Sequence, residues 1–459
     1  MEQRYQYPVA VLGAGPVGLA AAAQLLARGV AVQLFEAAGQ VGASFSDVAH
    51  ISLFSPWRYN IDKEARRLLE AEGWVAPNED ELPTAGELVD RYLVPLANTH
   101  ALAPHIKLNT EVLNVARRGF DKVKSVGRER APFVIRVREV GVMQEYLASA
   151  VIDATGTWRQ PNPLGANGLA AIGEALYQAQ ISYGMPDILG KERARFAGRN
   201  VLVVGAGHSA AGSLIALAEL AASDRQMQIH WAVRGENAPR VFGGGDEDGL
   251  PARGALGLKI RRLVESGQLH FHTHFRIQAL IKAGDALTVV PEPGFGAHLP
   301  LQNVEQIICS TGSRPDLSLT RELRTRLDPW LEASEALAPL IDPNLHSCGT
   351  VRPHGHRELS HPEQDFYIAG AKSYGRAPTF LMATGYEQVR SIAAALVGDL
   401  VAADDVQLEL PETGVCSADL SGASAASGAC CGPVVKAEPT TRQACCGAPK
   451  VSVAQSCCG

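Results

Sequence analysis

Short apolar runs alternate with helix-length stretches of small and apolar residues along most of this chain. Val9 to Leu12 predicts a buried strand, the residues after it a helix, and Val30 to Phe35 a second strand. The same order recurs later, where Val201 to Val204 and Ile229 to Val233 predict strands on either side of a helix. Continuous apolar strands joined by helices are typical of parallel sheets in α/β proteins. The chain therefore contains two copies of one strand, helix, strand unit.

Further strands and helices are predicted around these units. They are two helices between residues 63 and 100, the second capped by Thr84; strands at Ile106 to Val115 and Phe133 to Val137; apolar strands closing in Thr155-Gly156 and Thr311-Gly312; a strand at Phe366 to Ala369; and a helix from Gly385 to Leu396. We expect the two Thr-Gly turns to mark the points where the chain leaves the first domain and re-enters it.

The composition changes from about Asp404, where Ala, Ser, Gly, Pro and Thr dominate and no periodicity persists. Such a segment predicts a flexible, disordered tail. We therefore predict an α/β fold with two Rossmann-like dinucleotide-binding domains, the second inserted in the first. The predicted boundaries are 1–160 and 304–403 for the two parts of an FAD-binding domain, 161–303 for an NADPH-binding domain, and 404–459 for the tail.

The turn after the first strand has the G-x-G-x-x-G spacing in Gly13, Gly15 and Gly18. Such a turn needs glycine for the tight bend, for the approach of a pyrophosphate, and for close packing of the helix on the sheet. Pro16 opens the helix, whose unpaired amides face the phosphates. Glu36, at the end of the next strand, is placed to accept hydrogen bonds from a ribose. These positions together predict an FAD site.

The second unit repeats this turn with a different ending. Its turn residues are Gly205, Gly207, His208, Ser209 and, in the third glycine's place, Ala210. The next strand ends in Arg234 instead of an acid. A guanidinium can pair with a ribose 2'-phosphate that a carboxylate would repel, so this site suits NADPH, with Arg240 as a candidate second phosphate contact. The alternative for Arg234 is a solvated surface arginine.

Other candidate flavin contacts lie outside the two turns. They are Thr155, Gly156, Gly370 and Thr384. A helix that begins near Thr384 would present its positive end to the flavin pyrimidine edge. The loop from Phe54 to Asn60 interleaves aromatic and polar groups, which suits the wall of a flavin pocket and makes Asn60 and Trp57 its candidate catalytic residues. The alternative is a surface loop pinned by Trp57.

Composition and charge narrow the class of partner. The chain has 459 residues, 46% of them hydrophobic, and a formal net charge of -6 without a dense Lys/Arg block. These properties argue against a nucleic-acid interface and favour small-molecule partners. The N-terminus lacks the layout of a secretory signal, and glycines, Pro16 and Arg28 interrupt the apolar run that follows, which argues against a membrane span. We expect a cytoplasmic protein, and a homodimer is compatible with this sequence.

Cysteine is distributed unevenly along the chain. Of nine cysteines only Cys309 and Cys348 precede residue 410, and six of the others form three Cys-Cys-Gly repeats: Cys430, Cys431, Cys445, Cys446, Cys457 and Cys458. Adjacent cysteines close only a strained disulfide ring, so these pairs stay available as dithiols, and thiolates prefer soft ions. A second group of possible metal ligands lies before the tail: His346, Cys348, His354, His356 and His361. Their spacing matches no regular zinc pattern, and the alternative is a polar loop that borders the active site.

The chain resembles the FAD- and NADPH-dependent flavin-containing monooxygenases. The matching motifs are GAGPVG with Glu36, the two Thr-Gly turns, GAGHSA with Arg234, and AGAKSYGRAPTF. The resemblance implies that NADPH reduces FAD, that O2 adds at the flavin C4a, and that the hydroperoxide transfers one oxygen to a soft nucleophile. Two positions depart from related families: Tyr177 stands about where a histidine is expected, and Ala371 stands where disulfide reductases place an aspartate. The first departure bears on the substrate class, and the second points away from the disulfide reductases.

The tail adds a resemblance that concerns the substrate. Its Cys-Cys-Gly repeats resemble the thiol pairs of proteins that handle trivalent arsenic or mercury, and the whole chain resembles the flavin monooxygenases of arsenic-resistance operons. This implies that arsenite or a trivalent organoarsenical is oxidised to the pentavalent state, with the six paired cysteines as metalloid ligands. The alternative is an incidental tail that takes no part in catalysis.

Two other functions stay open on the sequence alone. A reductase of mercuric type would pass electrons from the flavin through a cysteine pair to a metal ion, but the loop after Glu36, GASFSDVAH, contains no cysteine. A protein that binds or sequesters metalloids, with a flavoprotein body of secondary importance, would use the tail alone.

Overall fold

A five-stranded parallel sheet forms the first part of the molecule. The computed structural model describes residues 6–222, 226–236, 242, 251–296, 299–346 and 351–408, with only the backbone of 251–254. In spatial order the strands are β16 (Phe366–Ile368), β7 (Ala150–Asp153), β1 (Val9–Leu12), β2 (Val32–Phe35) and β3 (Ile106–Lys107). Every residue of β1 and β7 is buried, which explains why these strands are unbroken apolar runs in the sequence.

A second five-stranded parallel sheet is built from the middle of the chain. In spatial order its strands are β11 (His270–His272), β10 (Gln228–Ala232), β9 (Asn200–Val204), β15 (Gln306–Cys309) and β8 (Ile181–Tyr183). The central part repeats the first sheet, because β9 pairs with β10 and β15 as β1 pairs with β2 and β7. All strands of this second sheet lie between β7 and β16 in the chain.

Each parallel sheet also carries a three-stranded antiparallel sheet inserted at the same point. The first consists of β4 (Thr110–Arg117), β5 (Phe133–Glu139) and β6 (Val142–Ala148), and the second of β12 (Ile277–Ala283), β13 (Ala286–Pro291) and β14 (Leu301–Val304). The α/β class and the arrangement of two Rossmann-like domains, one inserted in the other, are therefore confirmed. The predicted tail lies outside the described residues.

Helices cover both parallel sheets. They are α1 (Pro16–Leu26), α2 (Ala43–Ser46), α3 (Lys63–Glu70), α4 (Ala85–Leu88), α5 (Val94–Ala97), α6 (Arg193–Phe196), α7 (His208–Ala221), α8 (Pro251–Glu265), α9 (Ala338–Ile341), α10 (Met382–Leu396) and α11 (Leu400–Asp404). Helix α1 packs against α10, and α7 against α8. The four alanines at 20–23 are fully buried, so the small side chains of α1 allow it to lie close to its neighbours. None of the described helices is long and apolar enough to cross a membrane.

Several sequence-predicted elements have different bounds in the structure. The predicted strand Ile106 to Val115 is two strands, because Asn109 has a left-handed φ of 52° and turns the chain from the parallel into the antiparallel sheet. Thr84 caps α4 in a capping box with Glu87, as its position predicts, but a π-helical turn at Val89–Leu93 separates α4 from α5. The helix predicted from Gly385 begins three residues earlier, at Met382.

The two chain segments that connect the parallel sheets pair with each other. Asn162 N donates to Gly312 O at 2.9 Å, Arg314 N donates to Gln160 O at 2.9 Å, and Ser313 Oγ donates to Thr157 Oγ1 at 2.9 Å. These bonds lie just beyond the two Thr-Gly turns. The outgoing and returning segments therefore form a short two-stranded connection between the sheets.

Candidate functional site

The first glycine turn combines two tightly packed glycines with one that faces open space. Gly13 has a φ of 92°, and a Cβ there would stand 2.8 Å from Ala154 O. A Cβ on Gly18 would stand 1.9 Å from Gly13 O, so this glycine lets α1 close onto the turn. A Cβ on Gly15 would meet no protein atom within 4 Å. The open side of Gly15, at the N-terminus of α1 beside Pro16, is where a phosphate could approach backbone amides.

Glu36 lies at the end of β2, beside this turn. Its Oε2 accepts a hydrogen bond from Ala14 N at 2.8 Å, and its Oε1 accepts one from Ala38 N at 2.9 Å. The two amides fix the half-buried carboxylate at the edge of the turn. A carboxylate held there has lone pairs left for the hydroxyl groups of a ribose.

The Thr155-Gly156 turn rests on a buried ion pair that the sequence analysis did not anticipate. Lys372 Nζ lies 2.6 Å from Asp153 Oδ2, and both side chains are fully buried. Thr155 Oγ1 donates to Asp153 Oδ1 at 2.7 Å and accepts from Lys372 Nζ at 3.0 Å. The hydroxyl of Thr155 is thus engaged within the protein. Gly156 has a φ of 71°, and a Cβ there would meet open space.

Gly370 follows β16 and is held by a buried side-chain network. Its amide donates to Gln388 Oε1 at 2.8 Å, and Gln388 Nε2 donates to Ser373 Oγ and to His354 Nε2, each at 2.9 Å. Burial lowers the pKa of His354, so its neutral ring can accept that bond. Gly370 therefore offers no free amide. Its close approach is to α1, since a Cβ on Gly370 would stand 3.4 Å from the Val17 side chain.

The two candidate catalytic residues of the 54–60 loop have different environments. Trp57 is 1% exposed, belongs to the main hydrophobic core, and packs beneath the guanidinium of Arg91. The structure gives Trp57 a packing role and no exposed face for a flavin, unlike the predicted pocket wall. Asn60 is also buried, but its Oδ1 has no hydrogen-bond partner within the described structure. Buried polar atoms are rarely left unpaired, so this oxygen is free to accept a hydrogen bond from a donor outside the described residues.

A polar cavity of about 380 Å³ lies beside Asn60, among α1, α3 and α10. Tyr59 and Ile61, the chain neighbours of Asn60, line it together with Tyr386, whose hydroxyl donates to Asn60 O at 2.8 Å. Thr384 is buried in the first turn of α10, at the same end of the helix. Asn60 itself does not line this cavity, but both of its chain neighbours do.

The second glycine turn repeats the spatial pattern of the first. Gly205 has a φ of 141°, and a Cβ there would stand 2.2 Å from Ser310 O, as Gly13 packs against Ala154. Gly207, like Gly15, would place a Cβ in open space. In the third position Ala210 is fully buried.

The helix that follows this turn begins at a contact with the first domain. His208 begins α7, and its ring lies 5.5 Å from that of Phe54 in the 54–60 loop. Ser209 follows it in the first turn. Gly207 therefore directly precedes a residue that contacts the first domain.

Arg234 follows β10 and is exposed. Its Nη1 lies 3.4 Å from Ala166 O, and it lines a cavity of about 380 Å³ together with Arg276. Arg276 is a cation that the sequence analysis missed, because nothing in its local sequence places it beside β10. Arg240, the other candidate phosphate contact, lies outside the described residues.

The histidines that the sequence analysis considered as alternative metal ligands have other partners in the structure. His354 bonds Gln388, His356 pairs with Asp404 at 3.0 Å, and His361 accepts from Arg326 N. Within the described ranges no group of three or more His, Cys, Asp or Glu side chains is arranged to hold a metal ion. Cys348 and the six paired tail cysteines fall outside those ranges.

Comparison with known proteins places this site in a family context. A sequence profile described as "Pyridine nucleotide-disulphide oxidoreductase" matches residues 10–322, which is more than half of the chain. A search of curated proteins found no match.

Solved structures share the fold at low sequence identity. Bacillithiol disulfide reductase Bdr (YpdA) from Bacillus cereus is 18% identical, with a TM-score of 0.62 over 85% of this chain and 99% of that one. The FAD-bound cadaverine monooxygenase DfoA of Erwinia amylovora is 14% identical, with a TM-score of 0.58 over 89% and 98% of the two chains. The Kutzneria sp. 744 ornithine N-hydroxylase KtzI, with reduced FAD, NADP+ and L-ornithine, is 16% identical, with a TM-score of 0.54 over 86% and 98%. At these identities the likeness establishes the fold.

Proposed function

This chain belongs to the pyridine nucleotide-disulphide oxidoreductase family, and we propose that it is a monooxygenase that uses FAD and NADPH to oxidise a soft, small nucleophile. The carrying observation is the pair of duplicate glycine turns, each with one glycine open to a ligand. One turn is flanked by the carboxylate of Glu36 and the other by the guanidinium of Arg234. This difference in charge assigns FAD to the first turn and NADPH to the second.

The residues of the first domain fit FAD. The open side of Gly15 at the start of α1 would receive the pyrophosphate, and Glu36 would bind the adenosine ribose. The unpaired Oδ1 of Asn60 would accept a hydrogen bond from the flavin or from a protonated oxygen near it. When bound, FAD supplies two-electron chemistry with NADPH and O2. The protein positions the cofactors and excludes water from the site.

The positions of the cysteines favour oxygen transfer over the reduction of a disulfide or a metal ion. A dithiol reductase needs two thiols beside the flavin, and none precedes Cys309 in the sequence. Cys309 is the one free cysteine in the described part of the chain and ends β15, in the second sheet. Burial raises the pKa of its thiol to about 11, so it is protonated and unreactive near neutral pH. The described structure therefore supplies no cysteine pair for electron transfer.

Oxygen labelling tests the proposed reaction. Under 18O2, each oxidised product molecule should carry one labelled oxygen, and one NADPH should be consumed for each product formed. An unlabelled oxidised product would refute oxygen transfer from O2, and NADPH-dependent reduction of a disulfide or Hg(II) without O2 would show that the chain is a reductase instead.

We propose trivalent arsenic, as arsenite or methylarsenite, as the soft nucleophile. Three Cys-Cys-Gly repeats in the tail support this choice, because paired thiolates bind soft ions. In this proposal the tail collects the metalloid and delivers it to the flavin. The polar cavity beside Asn60 is a candidate route for it.

Substrate-stimulated NADPH consumption tests this choice, measured with arsenite, methylarsenite, Hg(II), thioethers and hydroxylamine precursors. A chain truncated after residue 410 should keep activity at high arsenite or methylarsenite but with a raised KM. If only a thioether or an amine stimulates NADPH consumption, the metalloid is not the substrate, and the monooxygenase proposal still stands. An unchanged KM for arsenite or methylarsenite in the truncated chain would show that the tail does not collect the substrate.

A further inference from the structure

Two arginines from different elements line one cavity at the end of β10. Arg234 lies two residues beyond this strand, and Arg276 directly precedes β12. Their backbones are joined, because Phe275 N donates to Val233 O at 2.9 Å and His274 N donates to Gly235 O at 2.8 Å. The cavity measures about 380 Å³, and its other lining residues are Ala166, Asn167, Glu292 and Phe295.

Neither guanidinium has an ionic partner among the described side chains. Within the described ranges no carboxylate lies within 4.0 Å of a nitrogen of Arg234 or Arg276, and Arg234 donates only the 3.4 Å bond to Ala166 O. The Nε of Arg276 is buried without a hydrogen-bond partner in the same part of the chain. Two positive groups that share a small cavity repel each other, and an unpaired buried donor is costly. Both costs are removed when an anion with several oxygens occupies the cavity.

The Arg276 side chain is oriented for such an anion. Its guanidinium lies 3.9 Å from the centre of the Phe295 ring, so the aromatic face holds the planar group in place. A planar guanidinium presents paired N–H donors to two oxygens of a phosphate. Glu292 lies in the same cavity, outside ion-pair distance of either arginine, so its negative charge opposes an anion and the two guanidinium groups must outweigh it.

We propose that Arg276 binds the 2'-phosphate of NADPH together with Arg234 and sets the preference for NADPH over NADH. This inference rests on the proposed function. A dinucleotide whose pyrophosphate lies at Gly207 places its adenosine ribose at the end of the next strand, which is β10. The second cation therefore comes from the antiparallel sheet, 42 residues beyond Arg234 in the chain, and it is held there by the pairing of residues 274–275 with 233–235.

Paired kinetics with NADPH and NADH test this assignment on the full-length, FAD-loaded protein. Arg276→Gln should raise the KM for NADPH roughly tenfold to a hundredfold, because a charge-assisted contact is lost, and should change the KM for NADH less than about threefold. Arg276→Lys, which keeps the charge without the planar fork, should recover part of the loss. Lys282→Gln removes one positive charge from the exposed far end of β12 and should change neither KM.

Direct binding separates this inference from the proposed function. Measured by calorimetry, Arg276→Gln should weaken the binding of adenosine 2',5'-bisphosphate by a similar factor. It should leave the affinity for adenosine 5'-monophosphate unchanged. An equal loss of affinity for both ligands, or no loss for either, would overturn the role of Arg276. The proposed function would still stand if the wild type prefers NADPH. A wild type that neither binds nor oxidises either dinucleotide would overturn both proposals.

Discussion

At the scale of single residues, the ion pair between Asp153 and Lys372 is the least expected feature of the site. Both side chains are fully buried, and the pair joins the end of β7 to the segment after β16. Thr155 completes it by bonding both partners. A buried ion pair is costly to break, because removing one partner leaves the other charged and without solvent. The pair therefore acts as a link between the two parts of the first domain, which are separated by the inserted domain in the chain.

Lys372→Met should lower the free energy of unfolding by about 3–5 kcal/mol, because it leaves the Asp153 carboxylate buried and unpaired. The double variant Asp153→Asn with Lys372→Met removes both charges and should recover most of that loss. Arg66→Met, which breaks the exposed pairs with Glu70 and Glu79, each at 2.7 Å, should cost only about 0–1 kcal/mol for each pair. The measurement is urea unfolding at pH 7. A double variant no more stable than Lys372→Met would contradict this account.

At the scale of elements, Asp62 caps α3 from a buried position. Its Oδ1 accepts from Glu64 N and Ala65 N, each at 3.0 Å, and Gln24 Nε2 donates to its carboxylate. Burial dominates over these bonds and raises the pKa of Asp62 to about 6. The cap therefore satisfies the first amides of the helix, but between about pH 4 and pH 6 it retains a proton that the unfolded chain has already released.

The stability contribution of this carboxyl should be present at acid pH and fall as pH rises from about 4 to 6. Since the folded pKa is about two units above the ordinary value of 3.8, the loss amounts to about 3 kcal/mol. Asp62→Asn keeps a good cap without a titrating proton, so its stability relative to the wild type should increase by that amount between pH 4 and pH 7. Urea unfolding at several pH values measures the difference.

Asp399→Asn is the matched control for this experiment, because Asp399 caps α11 from an exposed position. Because Asp399 is exposed, this variant lacks the burial on which the Asp62 effect depends, and it should not reproduce that increase in relative stability. A pH-independent difference between Asp62→Asn and the wild type would show that the buried cap does not titrate in this window.

At the scale of the whole molecule, one architectural plan is used twice and joined by a paired connection. In both copies the first glycine of the turn packs on the strand at its side, and the second glycine faces open space. The contact between Phe54 and His208 joins the two copies, and the bond from Trp158 Nε1 to Asp47 Oδ2 at 3.0 Å holds the connecting segment on the first domain. Because the second glycine of each turn faces open space, we expect that each site can be disabled separately without loss of the fold.

Gly15→Val and Gly207→Val should both fold, because each new side chain begins in space where no protein atom lies within 4 Å. Gly15→Val should be purified colourless, since the side chain fills the place of the FAD pyrophosphate. Gly207→Val should be yellow but should not be bleached by NADPH under anaerobic conditions. Absorbance at the flavin bands and anaerobic titration provide the readout. A yellow Gly15→Val protein with a full complement of FAD would refute the assignment of FAD to the first turn.

Gly13→Val is the contrasting case. Its backbone has a φ of 92°, and a Cβ would stand 2.8 Å from Ala154 O, so this variant should lose stability as well as flavin. Circular dichroism separates misfolding from simple loss of the cofactor. Native secondary structure in Gly15→Val together with its loss in Gly13→Val is the expected result.

Much of the fold could be predicted, because β1, β7 and β9 are mostly apolar runs followed by turns that contain glycine. Less of the site could be predicted. Trp57 was expected at a pocket wall but packs in the core, and Gly370 was expected to face a ligand but donates its amide to Gln388. In both cases the partner lies far away in the chain, so local sequence carries no sign of it.

The sequence by itself determined the two strand, turn, helix units, their α/β class and the opposite charges at Glu36 and Arg234. It could do so because hydrophobic period, turn spacing and charge are local properties. Only the tertiary structure decided that Lys372 neutralises Asp153, that Asn60 keeps an unpaired buried oxygen, and that Arg276 stands beside Arg234. These facts depend on burial and on pairing between distant segments, which arise only when the two sheets pack around their cores.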